Sequence, residues 1–201
     1  EDRPDHGAVM RATEVLGDVS LKQVIQRQDP FRSSGLHLSD ILQHLNRTLE
    51  PAKFKDDIEE HPEFAVLGLA FEECLAHALS LMVPGWEKPG EFSAEGIAMS
   101  PDGFGDPEFA GVDEFKATWK SMPDEAQDFC DHPKFAHYHR QAKSYCRVLG
   151  VRKVRFRVLF LCGNYRPSLP VFKTYVVKYT ALELEENWQL VLSHGRDMGV
   201  L

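Results

Sequence analysis

Gly111-Val112-Asp113-Glu114-Phe115-Lys116-Ala117-Thr118 is the stretch on which the fold turns. Its centre reads as a strand, Val112–Thr118. Side chains at i and i+2 of a strand share a face, so Glu114 and Lys116 point one way and Phe115 points into the opposite layer. Just upstream the period is already two: Phe92–Met99 is predicted as a strand, Ser100–Gly111 as a connection, and Val112–Thr118 as the antiparallel neighbour. Pro101-Asp102 then falls at the end of the first strand, where Asp102 can meet Glu114 and Lys116 across the hairpin.

Helical signals lie on both sides. Leu38-Ser39-Asp40 opens a helix near 39–49 with Ser39 as N-cap, and Pro51 ends it. His61-Pro62-Glu63 starts a longer helix whose apolar positions (Phe64, Leu67, Phe71, Leu75, Ala78, Met82) recur at three and four, until Pro84-Gly85 stops it. A polar segment, 120–133, leads to a helix over about 134–149 with core stripe Phe135, Tyr138, Ala142, Tyr145 and Leu149, capped by Gly150. Strands at 151–162 and 171–179 follow, joined by a turn at Gly163-Asn164. Thr180-Ala181-Leu182-Glu183 is a capping box opening a last helix that reaches His194. The expected order is α-α-β-β-α-β-β-α: an α/β (α+β) chain with a central mixed β-sheet flanked by helices. Residues 1–34 read as an N-terminal extension containing a short helix, and 35–201 as a single domain.

The chain of 201 residues is long enough for one domain with a sizeable core, and 43% hydrophobic and 27% charged residues are ordinary for a globular protein. No stretch is read as a membrane helix, and the start shows no basic region followed by an apolar run, so no membrane association and a cytoplasmic location are expected. Cys74, Cys130, Cys146 and Cys162 contain no CxxC pair, which points to free thiols in a reducing compartment. Net charge is −8, yet eight basic residues and no acidic ones fall between Lys134 and Arg157. Such a stretch can follow a phosphate backbone, with Lys134, Arg140, Lys143 and Arg147 as the DNA-binding candidates; a solvated helix face plus a strand face is the plainer account.

Asp102 and Glu114 can hold Mg²⁺ or Mn²⁺, with the backbone carbonyl of Phe115 as a third oxygen. Lys116 would orient the attacking water or stabilise negative charge on a phosphate. A surface ion pair on a strand would use the same residues. Gln141 and Tyr145, four apart in a helix, share a face; they offer an amide and a phenol to a phosphate, a base or a water, or else a core tyrosine with its edge covered. Glu72 sits at the edge of the buried stripe one turn after Gly68, which leaves room beside it. A carboxylate there needs a partner, either a metal or a salt bridge.

This ordered set resembles the PD-(D/E)xK nuclease superfamily, and within it the RecB-type and phage lambda exonuclease-type branch. The elements that carry the resemblance are Gly68-x-x-x-Glu72 in a helix, Asp102, Glu114-x-Lys116 in a strand and Gln141-x-x-x-Tyr145 in a helix, over roughly residues 35–195. It implies a restriction-endonuclease-like core and Mg²⁺- or Mn²⁺-dependent hydrolysis of DNA phosphodiesters. Glu72, Asp102, Glu114 and the Phe115 carbonyl would be metal ligands, Lys116 the catalytic lysine, and Gln141 and Tyr145 the accessory pair. The implied role is an exonuclease at DNA ends in phage-type recombination or repair, in a bacterial host cytoplasm, with a single-strand annealing protein and a homo-oligomer as family-level partners. A DNA endonuclease and a non-catalytic nucleic-acid-binding or assembly protein are the alternatives.

Some relatives carry a cysteine cluster; the cysteine spacing here differs, so no iron–sulfur cluster is expected. No zinc is expected at Asp131-His132 with His137-x-His139 either, because His137 and His139 lie about 200° apart on a helix. These histidines are expected to face solvent or DNA. No GxxxxGK phosphate loop is present.

Overall fold

The computed structural model describes residues 34–51, 62–162 and 169–201. Residues 1–33 of the predicted extension and the turn at Gly163-Asn164 lie outside them.

The elements in chain order are β1 (Leu36–His37), α1 (Leu38–Leu49), α2 (Pro62–Met82), β2 (Phe92–Ala94), β3 (Ile97–Met99), β4 (Val112–Thr118), α3 (Ala126–Asp131), α4 (Ala136–Val148), β5 (Lys153–Phe160), β6 (Val171–Lys178) and α5 (Ala181–Asp197). The fold is mixed α/β with two small mixed sheets, ordered β1-β3-β2 and β4-β5-β6.

The pairing departs from the expected hairpin. The segment 92–99 is two strands that pair with each other, joined by Glu95-Gly96, both at positive φ (51° and 81°). That is the geometry of a tight two-residue turn, and the Gly after Glu95 was its signal. β4 instead pairs in parallel with β5, which pairs antiparallel with β6. Antiparallel bridges Glu87↔Phe104 and Gly103↔Asp113 tie the connection before β4 to its neighbours. The order therefore gains β1, a split strand and α3. A parallel β4–β5 pair needs a crossover, and α3 and α4 form it.

Caps explain several boundaries. His37, not Ser39, precedes the first turn of α1; its backbone N–H donates to the Asp40 carboxylate at 3.4 Å. The Val151 N–H donates to the Cys146 carbonyl at 3.0 Å with Gly150 at φ 69°, which closes α4. At α5, Thr180 N–H donates to Glu183 Oε2 (2.8 Å), and Glu183 N–H to Thr180 Oγ1 (3.2 Å), the reciprocal box its sequence indicates.

The main core lies between α1, α4, α5 and one face of β4–β6, around Ile41, Phe129, Phe135, Phe156, Val158 and Trp188. Phe129, in the segment expected to be a polar connection, is fully buried and stacks on Tyr175 at 4.2 Å. A second cluster of Ala76, Leu79, Trp86 and Phe115 joins α2 to the other face of β4. The rest of α2 is mostly uncovered. Its Phe64–Met82 stretch, 19 residues with mean hydropathy 1.5, is by length and composition apolar enough to cross a membrane, which corrects only the reading that no stretch is long and apolar enough. Glu72, Glu73 and His77 interrupt it. Phe64 and Met82, expected in its buried stripe, are exposed.

Candidate functional site

Three of the expected residues meet at β4. Asp102 is placed by the bridge of Gly103 to Asp113, and its Oδ2 accepts the Phe115 N–H at 2.6 Å. Lys116 Nζ lies 2.7 Å from Glu114 Oε2 and 3.8 Å from Asp102 Oδ2. Strand alternation sends Phe115 the opposite way, where it stacks on Trp86 at 6.1 Å.

Glu114 is fully buried. Its contact with Lys116 is an ion pair, and neither carboxylate oxygen has a hydrogen-bond partner among the described residues. Oε1 is thus an orphaned acceptor in the interior, an expensive state unless something else satisfies it. Burial pushes the Glu114 carboxyl up to about 8, opposed by Lys116 and reinforced by Asp102. Asp102 rises to about 6, again mainly through burial, with Lys116 pulling it down and Glu72 pushing it up. Burial pulls the Lys116 ammonium down, but the two carboxylates outweigh it and the net direction is upward.

Glu72 is held elsewhere. Its Oε1 lies 2.8 Å from Lys88 Nζ, which also contacts Glu73 Oε1 at 2.6 Å. A salt bridge is one of the two partners expected for Glu72, and Lys88 supplies it. The room beside it exists: a Cβ on Gly68 would meet no atom within 4 Å.

Gln141 and Tyr145 do pair. Gln141 Nε2 donates to Tyr145 Oη at 2.9 Å. Because the phenol oxygen accepts that bond, its own proton remains for another acceptor. Burial holds the phenol's pKa well above its usual value, so it stays a donor. Asp102, Glu72, Lys88, Lys116, Gln141 and Tyr145 all line one open cleft of about 760 Å³. Glu114 is not among the lining residues and reaches the cleft only through its ion pair with Lys116.

Could this set hold a divalent cation? Among the described residues, no three His, Cys, Asp or Glu side chains converge as a ready cage. Two buried carboxylates, one with an orphaned oxygen, nevertheless fit Mg²⁺ or Mn²⁺, which commonly take one or two carboxylates and fill the remaining positions with water and substrate oxygens. The fit covers Asp102 and Glu114; Glu72 would have to leave Lys88 to join them.

The basic stretch is less open than its sequence suggests. Arg147 pairs with Glu185 at 2.6 Å, Lys143 with Glu183 at 3.8 Å, and Arg140 with Glu50 at 3.5 Å as well as with Asn46. Lys134 lies over the Phe135 ring at 4.9 Å. Arg155 and Arg157 are absorbed by Asp113, which is 1% exposed; Arg155 also bonds Asp106 at 2.8 Å. The Trp86 indole N–H donates to the same Asp113 carboxylate at 2.8 Å. This network fixes β4 from behind. Its sequence signal was an acid, Asp113, at the buried start of a strand.

His139 is buried, which corrects the expectation that it faces outward. It bonds the Tyr179 hydroxyl (2.7 Å) and the Phe129 carbonyl (3.0 Å), and burial lowers its pKa. His137 lies 3.3 Å from Lys120 Nζ. The four cysteines are free thiols, Cys146 and Cys162 buried, Cys74 and Cys130 exposed.

No family model matches the chain, and no curated protein matches it. Among solved structures it is similar to SSO0001, with a TM-score of 0.49 and 14% identity over 86% of this chain and 83% of that one. It is also similar to an alkaline exonuclease from Laribacter hongkongensis, with a TM-score of 0.38 and 15% identity over 63% of this chain and 64% of that one.

Proposed function

We propose that the chain is a metal-dependent nuclease that hydrolyses DNA phosphodiesters, acting as an exonuclease at DNA ends in phage-type recombination or repair. The observation that carries this reading is the buried Glu114 carboxylate with its unpartnered oxygen, ion-paired to Lys116, which together with Asp102 lines an open cleft.

A divalent cation on Asp102 and Glu114, with the Phe115 carbonyl as the further oxygen, would acidify water and offset charge on the phosphate. The chain's own residues divide the remaining work. Lys116 holds the carboxylates together in the free protein, and its ammonium is the group placed to meet negative charge developing on the phosphate. Tyr145, kept neutral by burial and turned by Gln141, donates its proton to an oxygen in the cleft. Lys88 keeps Glu72 at the rim. The reading takes DNA as the substrate and carries with it a bacterial cytoplasmic setting, a single-strand annealing partner and a homo-oligomer as proposals of the same kind.

One observation favours a second reading. Lys116 already sits between the two carboxylates and Glu72 is committed to Lys88, an arrangement that also suits a non-catalytic nucleic-acid-binding protein on this fold. Digestion of linear and closed circular duplex DNA with Mg²⁺, Mn²⁺ or EDTA, with Lys116→Ala as control, separates these. Metal-dependent loss of linear DNA alone, abolished in the variant, is the expected result. Cutting of circles would make it an endonuclease. Intact DNA that still binds would favour the second reading.

A further inference from the structure

Trp119 lies just beyond β4, three residues after Lys116, about 10 Å along an extended chain. It is 49% exposed, whereas Trp86 and Trp188 are 5% and 1% exposed. Phe64, itself 47% exposed, packs against it at 5.7 Å between ring centroids. The indole's backbone is not slack: the Thr118 carbonyl accepts from Leu161 N–H at 2.8 Å, and Thr118 Oγ1 accepts from Lys120 N–H at 3.2 Å. A half-open aromatic pair on a backbone held at both neighbouring residues offers a stacking platform with part of its ordering cost already met.

The neighbouring charge identifies the occupant. Lys120 Nζ lies 4.9 Å from the Tyr138 ring centre, over the same ring that Lys116 Nζ approaches at 6.0 Å. Among the described residues no carboxylate pairs with Lys120; its Nζ contacts His137 at 3.3 Å, and burial pushes the pKa of that imidazole down to about 3. Lys116 and Lys120 thus both lie against the Tyr138 ring, and Lys120 directly follows Trp119 in the chain. Aromatic faces with lysines alongside are what single-stranded nucleic acid requires: phosphates take the charge, and any base can stack. Paired bases, already stacked inside a duplex, cannot use a lone ring in this way.

We propose that Trp119, backed by Phe64, stacks an unpaired base of a single-stranded DNA segment while Lys120 holds its phosphate, so that the strand leads into the Asp102–Glu114–Lys116 cleft. This rests on the nuclease reading for the strand's destination. It adds that the substrate is single-stranded at the site, as a free strand or a frayed end.

The test is fluorescence titration of the full chain in EDTA, with oligothymidylate and with a blunt duplex. Since two of the three tryptophans are buried, quenching reports Trp119. The expected result is saturable quenching by the single strand, tighter than by the duplex. Trp119→Ala should lose the quench and weaken binding on the order of tenfold, and Trp119→Phe should keep most of the affinity. Equal affinity of Trp119→Ala and wild type for the single strand overturns the proposal, as does tighter binding of the duplex. A parallel digestion with Mg²⁺ separates the two ideas. If linear DNA is degraded but Trp119→Ala binds normally, stacking falls and the nuclease stands. If the strand binds through Trp119 but DNA survives, the nuclease falls and the stacking site stands.

Discussion

Burial makes Glu114 and Asp102 release their protons at higher pH than ordinary carboxyls do. Their folded pKa values, about 8 and about 6, lie above the usual range. The folded chain thus binds protons that the unfolded chain has lost, and their contribution to stability is full below about pH 4 and fades as pH rises through about 6 and about 8. The metal-free protein should therefore melt at a lower temperature at pH 8.5 than at pH 5.5. Glu114→Gln should flatten that difference, and identical pH slopes for the two proteins in calorimetry would refute the assignment. Added Mg²⁺ should raise Tm at pH 8.5 and do little at pH 5.5, where the ligands are protonated. Lys116→Met should destabilise the chain by about 3 kcal/mol at pH 8.5, because it strands two buried carboxylates. The loss should shrink at pH 5.5, as urea unfolding at the two pH values would show.

At the scale of elements, two glycines make opposite predictions. A Cβ on Gly103 would come within 2.3 Å of the Trp86 ring. Gly103→Ala should cost about 1–3 kcal/mol through overpacking, and should disturb Asp102, its neighbour. On α2, Gly68 faces open space, so Gly68→Ala should raise stability by about 0.5–1 kcal/mol through helix propensity. Unchanged denaturation midpoints for both variants would contradict the packing described. These positions also mark what the sequence could convey. Period-two alternation placed Glu114 and Lys116 together, and helical spacing paired Gln141 with Tyr145, because both signals are local. The partner of β4 was not local: no alternation within Val112–Thr118 distinguishes β5 from the 92–99 segment. Lys88 was unreadable for the same reason, since an irregular segment brings it to Glu72. Charge content likewise described Arg155 and Arg157 without Asp113, the acid that neutralises them.

For the whole molecule, neutralisation within the basic stretch limits electrostatic binding. With Arg140, Lys143 and Arg147 paired to glutamates, DNA affinity should fall only gently with salt, with a log–log slope no steeper than about −3. Fluorescence anisotropy across a salt series gives that slope, and a value near −8 would mean that the pairs open on binding. The crossover between β4 and β5 has a further consequence. Asp102, Glu114 and Lys116 precede it and Gln141 and Tyr145 follow it, while Asp124 and Glu125, between them, are exposed. The site is thus a joint between two consecutive halves of the polypeptide. A chain opened at Asp124-Glu125 would give two pieces, each lacking part of the cleft, whose re-association through β4 and β5 would rebuild it. Such a pair would make a reporter of proximity, silent until its halves are brought together.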